Sequence, residues 1–444
     1  MSGFVPASEL RARFAAMLSD MYRAEVPQYG ALLALVADIN RETLVADPTL
    51  ADALRASGEG DRIDAERHGA IRLGTARELR CVARAFRLMG MRPVGYYDLA
   101  AAGVPVHSTA FRPVDAGELA ASPFRVFTSL LRLELIEDVA LRDEAAAILS
   151  RRSILTEEAT ALLAAADANG GLDEAQSERF LPALLETFRW HSRATIDREI
   201  YDRLLASHRL VADVVSFPGP HINHLTPRVL DIDAAHARMA ALGFGPKDTI
   251  EGPPRRRCPI LLRQTSFKAL SEAVAFPGRT GLSAEGSHTA RFGEIEQRGA
   301  ALTREGRARY DRLIAGEAHT SLPDDADALR RERLAFFRYR PAESAPRRLP
   351  PSPGNLEALI ADGAVVAAPI TYEDFLPVSA AGIFRSNLGD EVQGSYAAAG
   401  SRPAFEEALG EPVSDEFTLY ARDEAESLAA VDRAFGWPAG TARS

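Results

Sequence analysis

Apolar residues recur at helical spacing near the start of the chain, where Leu10, Phe14, Met17, Leu18 and Met21 fall on one stripe. This predicts an amphipathic helix over 8–23, with Ser8 placed to cap it. A second helix is expected over 28–41. The pattern then becomes strand-like over 63–73. Thr75 starts a helix to Met89 whose Leu79, Val82, Ala83 and Phe86 face inward, and Gly90 and Pro93 stop it. Strands are expected over 94–99 and 104–111, joined by the turn around Gly103. From 138 to 210 the spacing is helical and rich in Ala, Leu and Glu, broken by the D-A-N-G-G turn at 167–171. After Phe217-Pro218-Gly219-Pro220 the texture changes to a strand over 221–230, a helix over 231–242 stopped by Gly243, and strands over 260–267 and 290–302. Residues 303–340 read as helical and highly charged. The stretch 341–353 holds five prolines and reads as a linker or extended loop. From Asn355 on, short strands and helices mix.

Two segments share an order of parts. E-R-H-G-A-I-R-L-G-T, a helix and L-M-G-M-R-P-V-G-Y-Y-D-L form the first. N-H-L-T-P-R-V-L-D-I-D, a helix and A-L-G-F-G-P-K-D-T-I-E-G form the second. Each places a histidine on a strand, then a helix, a glycine stop and a further strand after a proline. S-T-A-F-R (ending at Arg112) and Q-T-S-F-K (ending at Lys268) follow. Each half then offers an acidic strand, L-E-L-I-E ending at Glu137 and G-E-I-E-Q-R ending at Arg298. Two such βαβββ units can pair so that inward side chains from both meet at one point. The expected division is N-terminal helices over 1–60, a first module over 61–137, a helical insertion over 138–215, a second module over 216–302, and a C-terminal region over 303–444 that closes the cleft.

Composition narrows the class. The chain has 444 residues, long enough for two or three structural units, and 46% are hydrophobic, too many for a disordered chain. A net charge of -10 argues against nucleic acid as a partner. Two cysteines, Cys81 and Cys258, cannot build a disulfide framework or a Cys-rich metal site. There is no apolar run of about 18 residues, the length a membrane span requires. M-S-G-F-V-P-A-S-E-L-R lacks the basic and apolar parts of a signal peptide, so the expectation is a cytoplasmic protein. The sequence leaves the oligomeric state open.

The segment from His224 through its following helix resembles the opening strand and helix of the vicinal-oxygen-chelate superfamily, in which the leading histidine binds a metal. This implies His224 as a ligand. F-G-E-I-E-Q-R resembles the closing strand of the hydroxyphenylpyruvate-type dioxygenases and implies Glu294. Glu296 lies two residues on and shares its face, so parity does not separate the two. The whole chain, from about residue 8 to the tail, is similar to the 2-oxoadipate dioxygenase/decarboxylases, also called hydroxyglutarate synthases. The motifs that carry this are E-R-H-G-A-I-R-L-G-T, V-G-Y-Y-D-L, G-V-P-V-H-S-T-A-F-R-P, F-R-V-F-T-S-L-L-R, F-P-G-P-H-I-N-H-L-T-P-R and R-F-G-E-I-E-Q-R-G. The resemblance implies an α+β fold of paired half-barrels around one metal cleft, with iron(II) on His68, His224 and Glu294. It also implies that Arg72 grips a substrate carboxylate as the catalytic arginine, with His68, Val378 and Ser379 contacting substrate. The reaction it implies turns 2-oxoadipate and O2 into (R)-2-hydroxyglutarate and CO2, a step of lysine catabolism, by chelation, oxidative decarboxylation and intramolecular hydroxylation.

The chemistry suits those residue types. Two imidazoles and one carboxylate leave three adjacent positions on iron(II), two for a 2-oxo acid and one for O2. A fourth protein ligand would crowd them, which weighs against Glu134, although the repeat would put a ligand there. The set also binds zinc, manganese and cobalt. Arg72 lies four residues past His68 on a strand, shares its parity, and offers a fork suited to a carboxylate. His221 has the opposite parity to His224 and reads as a loop or supporting group. His107 is a candidate donor beside the cleft. His191, His208, His236, His288 and His319 read as structural, Tyr96, Tyr97 and Phe292 as packing, and 255–257 as a solvated turn. Two other readings compete: an oxygen-independent metal-dependent lyase or isomerase on the same fold, favoured by a ligating Glu134, and a metal-free binding protein.

Overall fold

The computed structural model describes residues 3–60, 62–65, 67–267, 270–278, 284–289, 291–317, 320–342, 356–376 and 402–442. Three helices open the chain: α1 (Ala7–Glu25), α2 (Pro27–Ala46) and α3 (Pro48–Ser57). Pro27 and Pro48 stand in first turns, where a missing N–H is no loss. α3 was not expected from the sequence. Ser8 does not cap α1, whose N-cap is Pro6 with no side-chain bond.

The first module runs β1 (Arg67–Leu73), α4 (Ala76–Leu88), β2 (Arg92–Asp98), β3 (Val106–Arg112), α5 (Ala116–Ala121) and β4 (Phe124–Leu131). Thr75 caps α4 by accepting from the Glu78 N–H. The sheet order is β2-β3-β4-β1-β5, so the last strand, β5 (Leu225–Pro227), comes from the second half of the chain. β1 runs parallel to β4, with His68 opposite Arg125, Ala70 opposite Phe127 and Arg72 opposite Ser129. It runs antiparallel to β5, with His68 opposite Thr226. Alternation then separates two faces. Ile71, Leu73, Phe124 and Val126 join a core with α1, α2 and α4. His68, Arg72, Arg125 and Ser129 share the other face, beside Ala70 and Phe127 of a second core.

Residues 139–216 form α6 (Val139–Ser150), α7 (Glu157–Asn169), α8 (Glu174–Leu185), α9 (Arg198–Ser207) and α10 (Arg209–Ser216). The D-A-N-G-G turn ends α7 with Gly170 at φ 85°, and Asp173 with Gln176 opens α8 through a capping box. The second half continues with α11 (Ile232–Ala241), β6 (Leu262–Ser266), β7 (Ser271–Phe276), β8 (Ala284–Thr289) and β9 (Glu294–Arg298). β6 pairs with β9, β7 with β8, and a parallel bridge from Arg228 to Glu296 ties the β5 segment to β9 as β1 is tied to β4. The chain closes with α12 (Arg304–Ile314), α13 (Ala326–Arg331), β10 (Phe337–Pro341), α14 (Leu356–Ala361), β11 (Val365–Pro369), α15 (Arg402–Leu409) and α16 (Glu416–Phe435). Among the described residues no helix is long and apolar enough to cross a membrane.

Several expectations change. The strand expected over 221–230 is only Leu225–Pro227. Its start is an extended segment bound edge-on to β1 through Asn223 N–H and Ala70 C=O (2.9 Å). The strand after α11 shrinks to single bridges at Pro246 and Glu251. L-E-L-I-E is not a strand; it is a 3-10 turn at Leu133–Leu135 that leaves Glu134 and Glu137 exposed. The charged stretch over 303–340 ends in β10, paired with β11. Lys268, His319 and most of 341–353 lie outside the described residues.

Gly299, just after β9, sits where two other segments pass. Its N–H donates to Leu261 C=O and its C=O accepts from Tyr372 N–H, both at 2.8 Å. A Cβ there would lie 2.2 Å from the Pro259 carbonyl carbon. Gly299→Ala is therefore expected to cost about 1–3 kcal/mol by overpacking. A lower urea midpoint checks this, and an unchanged midpoint would contradict it.

Candidate metal centre

His68 comes from β1, His224 from the extended segment before β5, and Glu294 opens β9. Two features bring them together. Gly69 lets the 221–224 segment lie close, since a Cβ there would sit 2.5 Å from Ile222 Cδ1. Tyr22 of α1 then holds both incoming loops, its hydroxyl 3.1 Å from Asn223 C=O and 2.8 Å from Phe292 C=O.

His68, His224 and Glu294 are buried, and ligand atoms from the three lie within 4.8 Å of one another. Glu294 Oε2 is 3.1 Å from His68 Nε2 and 3.2 Å from His224 Nδ1. Ligand atoms about 2.1 Å from one ion, at right angles, stand about 3.0 Å apart. Glu294 Oε2 accepts from Thr226 Oγ1 (2.7 Å) and Gln264 Nε2 (3.3 Å). Among the described residues Glu294 Oε1 and both ring nitrogens of His68 and of His224 have no well-aligned hydrogen-bond partner. Buried polar atoms are rarely left so, and a divalent cation would satisfy one nitrogen of each ring and the carboxylate. The residues present fit a metal ion.

Glu296 faces the same way but does a different job. Its Oε2 lies 2.9 Å from His68 Nδ1, on the side of the ring away from Glu294. Arg298 grips it with Nε (2.9 Å) and Nη2 (2.8 Å), and Arg125 Nη1 stands 3.6 Å away. Burial would push this carboxyl up; Arg298, His68 and Arg125 outweigh it and hold it down at about 2. An ionised Glu296 beside Nδ1 favours the proton of a neutral His68 there, which would leave the Nε2 lone pair for a metal. Burial also opposes charge on His68, yet Glu296 and Glu294 together raise its pKa, while burial brings His224 down to about 4. The segment after β11 closes this side. Glu373 accepts from Arg62 and Arg125, Asp374 takes a fork from Arg112 at 2.7 and 2.9 Å, and the Phe375 ring stands edge-on to His68 at 5.0 Å.

Arg72 is buried on the His68 face, and its charge is among those that lower His224. Its Nη1 donates to Asp213 Oδ2 at 2.6 Å. His221 joins that carboxylate, with Nε2 3.3 Å from Oδ1. His288, expected to be structural, lies on β8 with Nε2 2.8 Å from the same oxygen. His107 is not among the clustered ligands; it packs between Phe405 and Tyr96, centroids 4.7 and 6.1 Å away. Glu134 is a surface residue bound to Arg132 (2.8 Å) with a side chain 63% exposed, and β4 carries no carboxylate, so the repeat supplies no fourth ligand. Val378 and Ser379 lie outside the described residues. The sequence reading missed Asp213, Arg125 and Glu373. A lone charge inside an apolar run, as in V-A-D-V-V and F-R-V-F, was the available signal.

Comparison with known proteins agrees over nearly the whole chain. A family model described as 2-oxoadipate dioxygenase/decarboxylase matches residues 14–387. A 2-oxoadipate dioxygenase/decarboxylase of Pseudomonas putida is 54% identical over 455 residues, covering 97% of this chain and 98% of that protein. The crystal structure of hydroxyglutarate synthase from Pseudomonas putida superposes with a TM-score of 0.88 at 49% identity, covering 98% of this chain and 100% of that one. The hydroxyglutarate synthase in complex with 2-oxoadipate from the same organism gives 0.87 at 50% identity, with the same coverage.

Glu296→Gln is expected to weaken divalent-metal binding by roughly 10- to 100-fold, the usual effect of losing a carboxylate behind a ligating histidine. Glu294→Ala is expected to abolish binding at this site. Competition with a chromophoric chelator measures both. Equal losses in the two variants would mean that the roles of the carboxylates are misassigned.

Proposed function

This chain belongs to the 2-oxoadipate dioxygenase/decarboxylase family, and on that premise we propose that it converts 2-oxoadipate and O2 to (R)-2-hydroxyglutarate and CO2 with iron(II) on His68, His224 and Glu294. The observation that carries the reading is one buried face on which two imidazoles and a carboxylate converge, with Arg72 further along the same strand. When bound, iron(II) supplies the redox chemistry that joins O2 to the 2-oxo acid.

The chain's own residues do the rest. His68, His224 and Glu294 would hold the ion and, being three, would leave it accessible to a 2-oxo acid and O2. Glu296 orients His68. Arg72 takes the distal carboxylate, so the diacid is held at both ends. His68, Glu294 and Glu296 are all fully buried, which keeps water from the reacting centre. The balance closes without a second organic substrate. Both atoms of O2 enter the five-carbon product, one in the new carboxylate at the former keto carbon and one in the hydroxyl, as the original C1 leaves as CO2. Cys81 and Cys258 are free thiols, which suits a cytoplasmic enzyme.

Oxygen uptake with 2-oxoadipate and added iron(II) tests this. One O2 is expected per CO2 released, and equal turnover in anaerobic buffer would overturn it. Arg72→Ala is expected to lower kcat/KM by roughly 10- to 100-fold, the worth of a hydrogen bond to a charged group, and to spare 2-oxohexanoate, which has no distal carboxylate. An equal loss on both substrates would remove Arg72 from that role.

A further inference from the structure

The helices α6–α10 take no part in the reading above, yet one side chain from them reaches the site. Asp213, midway along α10, is buried at the meeting point of four segments. Oδ2 accepts from Arg72 Nη1 of β1 at 2.6 Å. Oδ1 lies 2.8 Å from His288 Nε2 of β8 and 3.3 Å from His221 Nε2 on the segment that leads to His224. His288 Nδ1 is 2.9 Å from the Tyr201 hydroxyl of α9, and Trp190 lies parallel to the His288 ring at 6.2 Å. Burial works against a charged Asp213, but His221, Arg72 and His288 hold its carboxyl well below the usual range.

A buried arginine needs a counter-ion, and that alone would explain a salt bridge. Asp213 does more than neutralise. A contact at one terminal nitrogen restricts how the guanidinium can turn, and its orientation sets the direction from which a carboxylate can make a forked approach. Asp213 is itself fixed by the His288 imidazole, which is anchored to Tyr201, with His221 close by, so the direction is set by α9, α10 and β8 rather than by β1 alone.

We propose that Asp213 is a positioning residue for Arg72, and that α9 and α10 deliver it so that the distal carboxylate of a 2-oxo diacid is met at one fixed distance from the chelated end. This rests on Arg72 being the carboxylate clamp. The consequence is selectivity: the geometry favours one chain length of diacid.

The test uses the iron-loaded full chain. Asp213→Asn, close in shape but uncharged, is expected to raise KM for 2-oxoadipate at least about 10-fold while kcat changes by less than about 3-fold, the signature of lost binding rather than lost chemistry. Discrimination against the shorter diacid 2-oxoglutarate should narrow, and metal affinity by chelator competition should stay at the parent value. Tyr201→Phe, which keeps the ring packing and removes only the hydroxyl on His288, should shift KM in the same direction by less, and serves if Asp213→Asn does not fold. Unchanged KM and selectivity in a folded variant, alongside a raised KM in Arg72→Ala, would overturn the proposal and leave the clamp standing. Loss of metal affinity together with kcat would mark Asp213 as a general structural support and overturn it too. If Arg72→Ala leaves KM unchanged, the clamp fails and the proposal falls with it.

Discussion

The arrangement depends on keeping two carboxylates ionised, two residues apart, in a place buried from solvent. Burying one such charge without compensation costs several kcal/mol. Glu296 is compensated by protein, through the Arg298 fork, Arg125 and His68. Among the described residues Glu294 accepts hydrogen bonds on Oε2, and its other oxygen has no hydrogen-bond partner. That asymmetry divides their labour. The carboxylate that arginine holds orients a ring, and the one left incomplete is available to a cation.

The surrounding fold follows from that need. β1 carries His68 and Arg72 on one face because alternation puts them there, and its other face is packed by α1, α2 and α4. Each partner arrives from a different part of the chain: Arg125 from β4, His224 from the segment before β5, Glu294 and Glu296 from β9, and Glu373 from the segment after β11. α1 contributes one hydroxyl, Tyr22, that ties the His224 and Glu294 loops together. α10 contributes Asp213. A site assembled from such distant pieces holds its geometry only while the packing around it is intact.

Much of this could be read from the sequence. Periodicity located β1, α4, β2 and β3, and the repeat singled out His68 and His224, each followed by a helix that a glycine stops. Glu294 and Glu296 share parity, so alternation could not choose between them. Arg298, two residues further on the same face, was the missing clue, because an arginine beside Glu296 claims it. The β7–β8 hairpin was not read, since S-E-A-V-A-F and A-E-G-S-H-T have little β-branched or aromatic content and no regular apolar face. The strand predicted over 221–230 is shorter because its first residues meet β1 edge-on through Asn223, and Pro227 has no N–H to carry the ladder further. L-E-L-I-E looked like a strand from its alternation, but only Ile136 among those residues is buried.

The most direct test is anomalous diffraction at the iron edge from iron-loaded crystals grown without oxygen. A single strong peak is expected about 2.0–2.2 Å from one nitrogen each of His68 and His224 and one oxygen of Glu294, the usual span for such ligands, with Glu296 still on His68 Nδ1. A peak elsewhere, or one that takes Glu296 as its carboxylate ligand in place of Glu294, would contradict the account.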